Sequence, residues 1–186
     1  QTPEEVAVNQ KNPRRLKKIM SQAISEGRQI LTLPEASKFL KAYGIPFVDT
    51  AVARTLDEAV SSTAKLGYPV AMKVLSTQIT HKSIANGVVL NVCSQKKLED
   101  AFGRLSAKPD FQGVIIQPMV QGEFELIIGS KKDPQFGSVI VFGKGGSKTE
   151  QNKSVSIGFP PLNQVLARRL IENKRNGLSE LVTGSG

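Results

Sequence analysis

Apolar positions in the first part of the chain recur at helical spacing and then give way to short extended runs. From Pro13 onward, Leu16, Ile19, Met20, Ala23 and Ile24 fall three or four residues apart before Gly27. That spacing predicts an amphipathic helix with a glycine stop. Residues 1–12 are polar and carry no period, so they read as a tail or linker. Two segments then echo each other, TLPEASKFLKAYGIP (32–46) and TLDEAVSSTAKLGYP (55–69). Each opens on a threonine with a glutamate three residues later, a signal for a helix start. Each closes on Gly-x-Pro, which ends a helix and begins an extended segment. Apolar runs follow at 47–53 and 70–75, so the echo predicts two helix–strand units in an α/β layer.

Residues 87–92 predict a further strand, and the spacing of Leu98, Ala101, Phe102 and Leu105 predicts a helix. Beyond Gly113 the pattern changes to three apolar runs, GVIIQPMV, EFELIIGS and SVIVFG. Turn signals separate them, QG at 121–122 and KKDPQFG at 131–137, so consecutive strands are expected. A last helix is predicted over 162–172. The fold class is therefore α/β (α+β), with a helix–strand first lobe and a strand-rich second lobe. Residues 1–29 form a linker and N-terminal helix, 30–112 the first lobe and 113–186 the second, with the hinge near Gln112–Gly113.

Composition narrows the partners. Hydrophobic residues make up 39% and charged residues 22% of the 186, as in ordinary globular proteins. No apolar run approaches the ~18 residues of a membrane span, and the N-terminus lacks the apolar stretch of a secretory signal. A cytoplasmic protein without a membrane partner is expected. The net charge of +9 suits an anionic partner (nucleic acid, phosphates, CoA or an acidic subunit) as well as a plain solvated basic surface. Aromatics at 5% and no tryptophan leave few stacking platforms for single strands. One histidine and one cysteine cannot build a zinc module. Nucleic acid is accordingly not expected, nor is an internal disulfide, since Cys93 stands alone.

Candidate chemistry resides in a few residues. A G-x4-G-K-[ST] phosphate loop is absent, and GKGG (143–146) only approaches a glycine-rich motif. Lys73, in GYPVAMKV, shares a strand face with Ala71 and Leu75. Such a lysine guards an edge strand or holds a fixed positive charge toward a phosphate. His81 lies in the hydroxyl-rich stretch STQITHKSIANG (76–87); it is either an ordinary loop histidine or a nucleophile able to accept a phosphoryl group. Glu123 and Glu125 stand two apart and project to one strand face. Either they are solvent-facing, or a ribose, lysine or metal sits opposite.

Taken together, GYPVAMKV, ITHKSIANGVVLN, VIIQPMVQGEFELIIGSKKDPQFGSVIVFGKGG and SIGFPPLNQVLARRLIE resemble the ATP-grasp region of NDP-forming acyl-CoA synthetases. The same region is fused to an acetyltransferase domain in larger proteins. The resemblance implies an ATP-grasp fold whose two lobes grip ATP/ADP or GTP/GDP in a cleft. It places Lys73 at the nucleotide phosphates, Gln117, Met119 and Val120 in the hinge against the base, and Glu125 near the ribose. His81 falls on the HKS histidine, implicated in accepting or relaying phosphate. The implied reaction is reversible phosphoryl transfer through a phosphohistidine, coupled to acyl-CoA thioester formation or cleavage, with a CoA-binding domain or subunit as partner. An alternative under the same resemblance is a non-catalytic, ligand-binding regulatory ATP-grasp domain of a protein acetyltransferase. In the family, Mg2+ is held by carboxylates beyond the PPLN segment, where this chain has only Glu172 and Glu180. No metal ligand is assigned here, and a C-terminally truncated, inactive second lobe is expected, the metal belonging to the full-length protein.

Overall fold

The computed structural model describes residues 13–77, 86–122, 124–146, 155–173 and 178. In chain order the elements are α1 (Pro13–Ser25), α2 (Leu33–Ala42), β1 (Ala51–Ala53), α3 (Leu56–Leu66), β2 (Val70–Leu75) and β3 (Val88–Val92). There follow α4 (Gln95–Ser106), β4 (Gly113–Pro118), β5 (Leu126–Asp133), β6 (Gly137–Lys144), β7 (Val155–Gly158) and α5 (Gln164–Ile171). The described residues fall into two compact units, one ending at Val120 and one beginning at Gln121.

In the first unit four strands lie in the order β1-β4-β2-β3, each antiparallel to its neighbour. The helix–strand units therefore do not sit side by side. Strand β4 separates β1 from β2, and β2 separates β3 from β4, giving two interlocked split β-α-β units. One face of this sheet carries Val70, Met72, Val74, Val114 and Ile116, which pack with Ala59 of α3 and with Leu98, Ala101 and Leu105 of α4 in a single buried cluster. Because side chains alternate along a strand, the neighbouring Ala71, Lys73, Ile115 and Gln117 face the other way.

The division between units comes later than the hydrophobic pattern suggests. Gly113 does not open the second lobe, because β4 is an inner strand of the first sheet, paired from Gly113 to Pro118 with β2. Its run GVIIQP is buried from Gly113 to Gln117, and a strand covered on both faces reads as continuously apolar wherever it belongs. The partners that claim it lie far back in the sequence. Gly113 itself is fixed by contact: its φ is +137°, and a Cβ there would stand 2.7 Å from the Ala53 carbonyl oxygen.

The two echoed helix starts form differently. At α2 the Glu35 carboxylate accepts from the Thr32 N–H at 2.7 Å and the Thr32 hydroxyl at 2.8 Å. At α3 Thr55 Oγ1 accepts from the Glu58 N–H at 3.2 Å, while Glu58 reaches past Thr55 to the Arg54 N–H at 2.6 Å. Glu35 also receives both Arg28 terminal nitrogens, at 3.0 and 2.9 Å. This two-pronged clasp ties the α1–α2 connection. Hydrogen bonds from Arg28 above all, then from Thr32, hold the Glu35 carboxyl down to about 2 against an ordinary 4.5.

The second unit is a three-stranded antiparallel sheet, β5-β6-β7. KKDPQFG makes the β5–β6 turn. Asp133 Oδ1 accepts from the backbone N–H of Gln135 at 2.9 Å and Phe136 at 3.0 Å, an Asx-type closure. Phe142, Leu170 and Leu178 are buried together, with Ile140 and Leu162 against them. Helix α5 starts at Asn163, whose side chain accepts from the Leu166 N–H at 2.9 Å. Edge strand β5 leaves Leu126 and Ile128 exposed, at 56% and 74%.

Gly113→Ala is expected to lower stability by about 2–3 kcal/mol, from the positive φ and the clash with Ala53 together; urea unfolding measures it. Glu35 has a depressed folded pKa, so its contribution is fully present above 4.5 and disappears as pH falls through about 2. Glu35→Gln should thus be less stable than wild type at neutral pH. The gap should close over that acid window when urea midpoints are followed against pH.

Candidate functional site

Lys73 lies on β2, which is flanked by β4 and β3. An edge-guard role is thereby excluded, since β2 has no open edge. Packing of Val70, Met72 and Val74 against the helices turns Lys73 to the opposite face of the sheet. Its Nζ donates to Gln117 Oε1 at 2.8 Å. The Gln117 amide passes the chain on, donating from Nε2 to Thr50 Oγ1 at 2.9 Å. Thr50 in turn donates to the Val48 carbonyl at 2.8 Å. Gln117 is only 5% exposed, so both ends of its amide are used and its orientation is fixed. The result is a half-buried ammonium group held at a set place on the face opposite α3 and α4.

Strand β4 then ends, and the Met119 N–H donates to the Pro69 carbonyl at 2.9 Å. Pro118, opposite Val70, supplies no N–H of its own. Val120, 72% exposed, closes the first unit. Gln117, Met119 and Val120 thus occupy one continuous stretch from buried strand to surface.

Glu125 belongs to the second unit and lies just before β5 rather than within it. The GKGG turn wraps around it. The Gly145 N–H donates to the Glu125 carbonyl at 2.6 Å. A Cβ at Gly145 would stand 3.1 Å from the carbonyl carbons of Glu125 and Leu126, and one at Gly146 would stand 3.2 Å from Glu125 Oε2. These glycines are accounted for by close approach to Glu125. The described residues do not bring Glu123 beside it, because Glu123 lies outside them, as do His81, Thr80, Lys82 and Ser83.

One group of polar residues was not signalled by any motif. Asp110, between α4 and β4, accepts through Oδ2 from the Thr77 N–H at 2.9 Å, the Thr77 hydroxyl at 2.8 Å and the Ser76 hydroxyl at 3.2 Å. Gln112 Nε2 donates to Asp110 Oδ1 at 3.2 Å. The hydrogen bond from the Thr77 side chain leads in holding the Asp110 carboxyl down to about 2. In the sequence this is only a Pro-Asp turn signal after a helix.

A family model described as an ATP-grasp domain matches residues 22–183. The chain belongs to the ATP-grasp domain family. This ATP-grasp chain is 40% identical over 161 residues to the beta subunit of ADP-forming acetate–CoA ligase II from Pyrococcus furiosus, covering 83% of this chain and 68% of that one. It is 40% identical over 167 residues to the ADP-forming 4-hydroxybutyrate–CoA ligase of Nitrosopumilus maritimus, covering 86% of this chain and 24% of the relative. Among solved structures, one from Pyrococcus horikoshii aligns with a TM-score of 0.84 at 34% identity, covering 92% of this chain and 75% of that one. A second is the dinucleotide-forming acetyl-coenzyme A synthetase 1 of Ca. Korarchaeum cryptofilum, in complex with coenzyme A and Mg-AMPPCP, its phosphohistidine segment pointing towards the nucleotide binding site. It aligns with a TM-score of 0.74 at 32% identity, covering 91% of this chain and 74% of that one. The ATP-grasp fold expected from the sequence and its kinship with ADP-forming acyl-CoA synthetases are thus both found.

The Lys73 ammonium, fastened by Gln117, is a ready counter-charge for phosphate oxygens. Among the described residues no group of three or more His, Cys, Asp or Glu side chains could hold a metal ion, so no step below runs through magnesium. Among the same residues, no helix is long and apolar enough to cross a membrane.

Replacing Gln117 by Leu removes the amide joining Lys73 to Thr50 while keeping similar volume. A loss of about 1–3 kcal/mol is expected from the unpaired groups left behind, measured by urea unfolding.

Proposed function

We propose that this chain is the nucleotide-holding part of an NDP-forming acyl-CoA synthetase that moves a phosphoryl group through His81. The observation that carries the reading is the Lys73–Gln117–Thr50 chain, which holds one positive charge on the sheet face away from α3 and α4. In the proposed complex Lys73 meets the nucleotide phosphates. Residues Gln117, Met119 and Val120 run along the base, and Glu125 accepts from the ribose hydroxyls.

For transfer, an imidazole nitrogen lone pair of His81 attacks the γ-phosphorus. The bond from phosphorus to the bridging oxygen breaks, and NDP leaves with that electron pair. The new phosphohistidine is the group that the acyl substrate and CoA consume, giving the sum acid, CoA and NTP to acyl-CoA, NDP and phosphate, in either direction. Lys73 contributes by neutralising charge on the phosphates and fixing their position relative to the attacking group. Magnesium, when bound to the nucleotide in the whole protein, would add to that neutralisation.

A CoA-binding domain or subunit completes the reaction in this reading. Two forms of relative support it: a separate beta subunit, 68% of which is matched, and longer ligases of which only 24% and 21% are matched. Large parts of the latter lie outside the ATP-grasp region and are available for CoA and acyl chemistry. The net charge of +9 favours both polyanionic substrates by electrostatic steering.

In the full-length protein, Lys73→Met should raise the nucleotide Kd about ten- to a hundredfold, as loss of a charge-assisted contact does. Its stability should fall by about 1–3 kcal/mol, because the buried Gln117 Oε1 loses its donor, so the Kd is measured where urea unfolding shows the variant folded. An unchanged Kd would remove Lys73 from the phosphate site. Incubation with γ-labelled ATP or GTP should give acid-labile, base-stable label, and His81→Ala should lose the portion carried at that residue. Wild-type labelling and full synthetase turnover in that variant would make His81 an ordinary loop residue.

A further inference from the structure

The polar cluster around Asp110 lies outside every role assigned above, yet it is built at some cost. Asp110 has φ +53°, a left-handed conformation that costs about 1–3 kcal/mol in a residue other than glycine. Asp tolerates that region better than most, but glycine would occupy it without strain. What aspartate adds is its carboxylate. Three of its hydrogen bonds go to Ser76 and Thr77, the two residues between the end of β2 and segment 78–85. A third partner, Gln112, donates to Asp110 and also to Thr77 Oγ1 at 3.4 Å. Its backbone N–H donates to the Leu75 carbonyl at 2.9 Å. On the far side of the segment the Gly87 carbonyl accepts from the Val74 N–H at 2.8 Å. Both ends of the connection are therefore pinned to one corner of the first sheet.

We infer that Asp110 is a positioning residue: it fixes Ser76 and Thr77, where the chain leaves β2 ahead of His81 in the sequence. The inference rests on the reading of His81 proposed above, since a histidine with no chemical task would need no such fastening. The sequence makes the lever short, with Thr77 four residues before His81. A displacement of about 1 Å at a reacting group costs up to a hundredfold in rate. Fastening by a charged acceptor suits a position where Thr77 is exposed and apolar burial cannot do the holding. The carboxyl held near 2 stays ionised throughout the physiological range, so the anchor does not switch with pH there.

Asp110→Gly separates positioning from folding, because it relieves the backbone strain while deleting every side-chain bond. In the full-length protein, the rate of label transfer from γ-labelled ATP or GTP to His81 should fall about ten- to a hundredfold. Nucleotide Kd and the thermal midpoint should stay at wild-type values. Asp110→Asn, which retains one acceptor oxygen and tolerance of the left-handed region, should recover part of the rate. A wild-type labelling rate in Asp110→Gly, with His81→Ala unlabelled, overturns the anchor alone. Loss of rate together with loss of thermal midpoint in both Asp110 variants also overturns it, since the cluster is then a folding element. His81→Ala that labels and turns over as wild type overturns the reading of His81 instead, whatever the Asp110 variants do.

Discussion

Two-residue alternation on the inner strands β2 and β4 is the constraint on which the rest of the first unit depends. Val70, Met72, Val74, Val114 and Ile116 are buried against α3 and α4. Each such side chain contributes about 1.5–3 kcal/mol; even discounted for a compact unfolded chain, the set far exceeds the ~2 kcal/mol of rotamer entropy lost by ordering one lysine. The register is thereby settled, and Lys73 and Gln117 are carried to the opposite face with no choice of their own. A slip of one residue would put Lys73 among the apolar side chains and expose the row that the helices need. The charged group is in this sense positioned by residues that never touch a ligand.

Polar fastenings then fix the parts that burial cannot reach. α2 has no buried residue, and its entry is secured by the Arg28–Glu35 clasp and the bonds from Thr32 to Glu35. The corner after β2 is secured by Asp110. In both places a carboxylate gathers donors from two neighbouring segments, and its depressed pKa records how many it has gathered. Lys73 and Gln117 use the same device inside the sheet, with a neutral amide as acceptor. Gln117 suits that place because burying a second charge at 5% exposure would carry a desolvation cost that an amide avoids.

Two sequence motifs have local structural accounts. GKGG only approaches a glycine-rich motif, and two of its glycines, Gly145 and Gly146, stand in close contact with Glu125 and the start of β5. DPQFG, one of the family-like motifs, is a hairpin closure by Asp133 rather than a ligand site. DPQFG thus serves a turn, whereas Asp110, in no motif, joins Ser76 and Thr77 to the connection before β4. The chain matches 68% of one beta subunit and 24% of a longer ligase.

The sequence by itself determined the five helices and the runs that become β1 to β6, because each depends on local spacing, a cap or a turn residue. β7 (Val155–Gly158) carried no such signal and is set by its pairing with β6, and of the run 47–53 only Ala51–Ala53 is strand. Thr32 and Thr55 begin helices, Asn163 begins the last, and apolar alternation marks β2. It also determined the face on which Lys73 stands, since alternation is a property of one strand. Which strands become neighbours was decided only by the tertiary structure. GVIIQP reads the same whether it opens a second lobe or enters the middle of the first sheet, and pairing with β1 and β2, remote in sequence, moved the boundary from Gly113 to Val120. The same long-range pairing turned Lys73 from a possible edge residue into an inner one and gave it Gln117 as a partner, itself held by Thr50. It also brought Asp110 to Thr77, because loops on different strands meet only after the sheet has closed around β4.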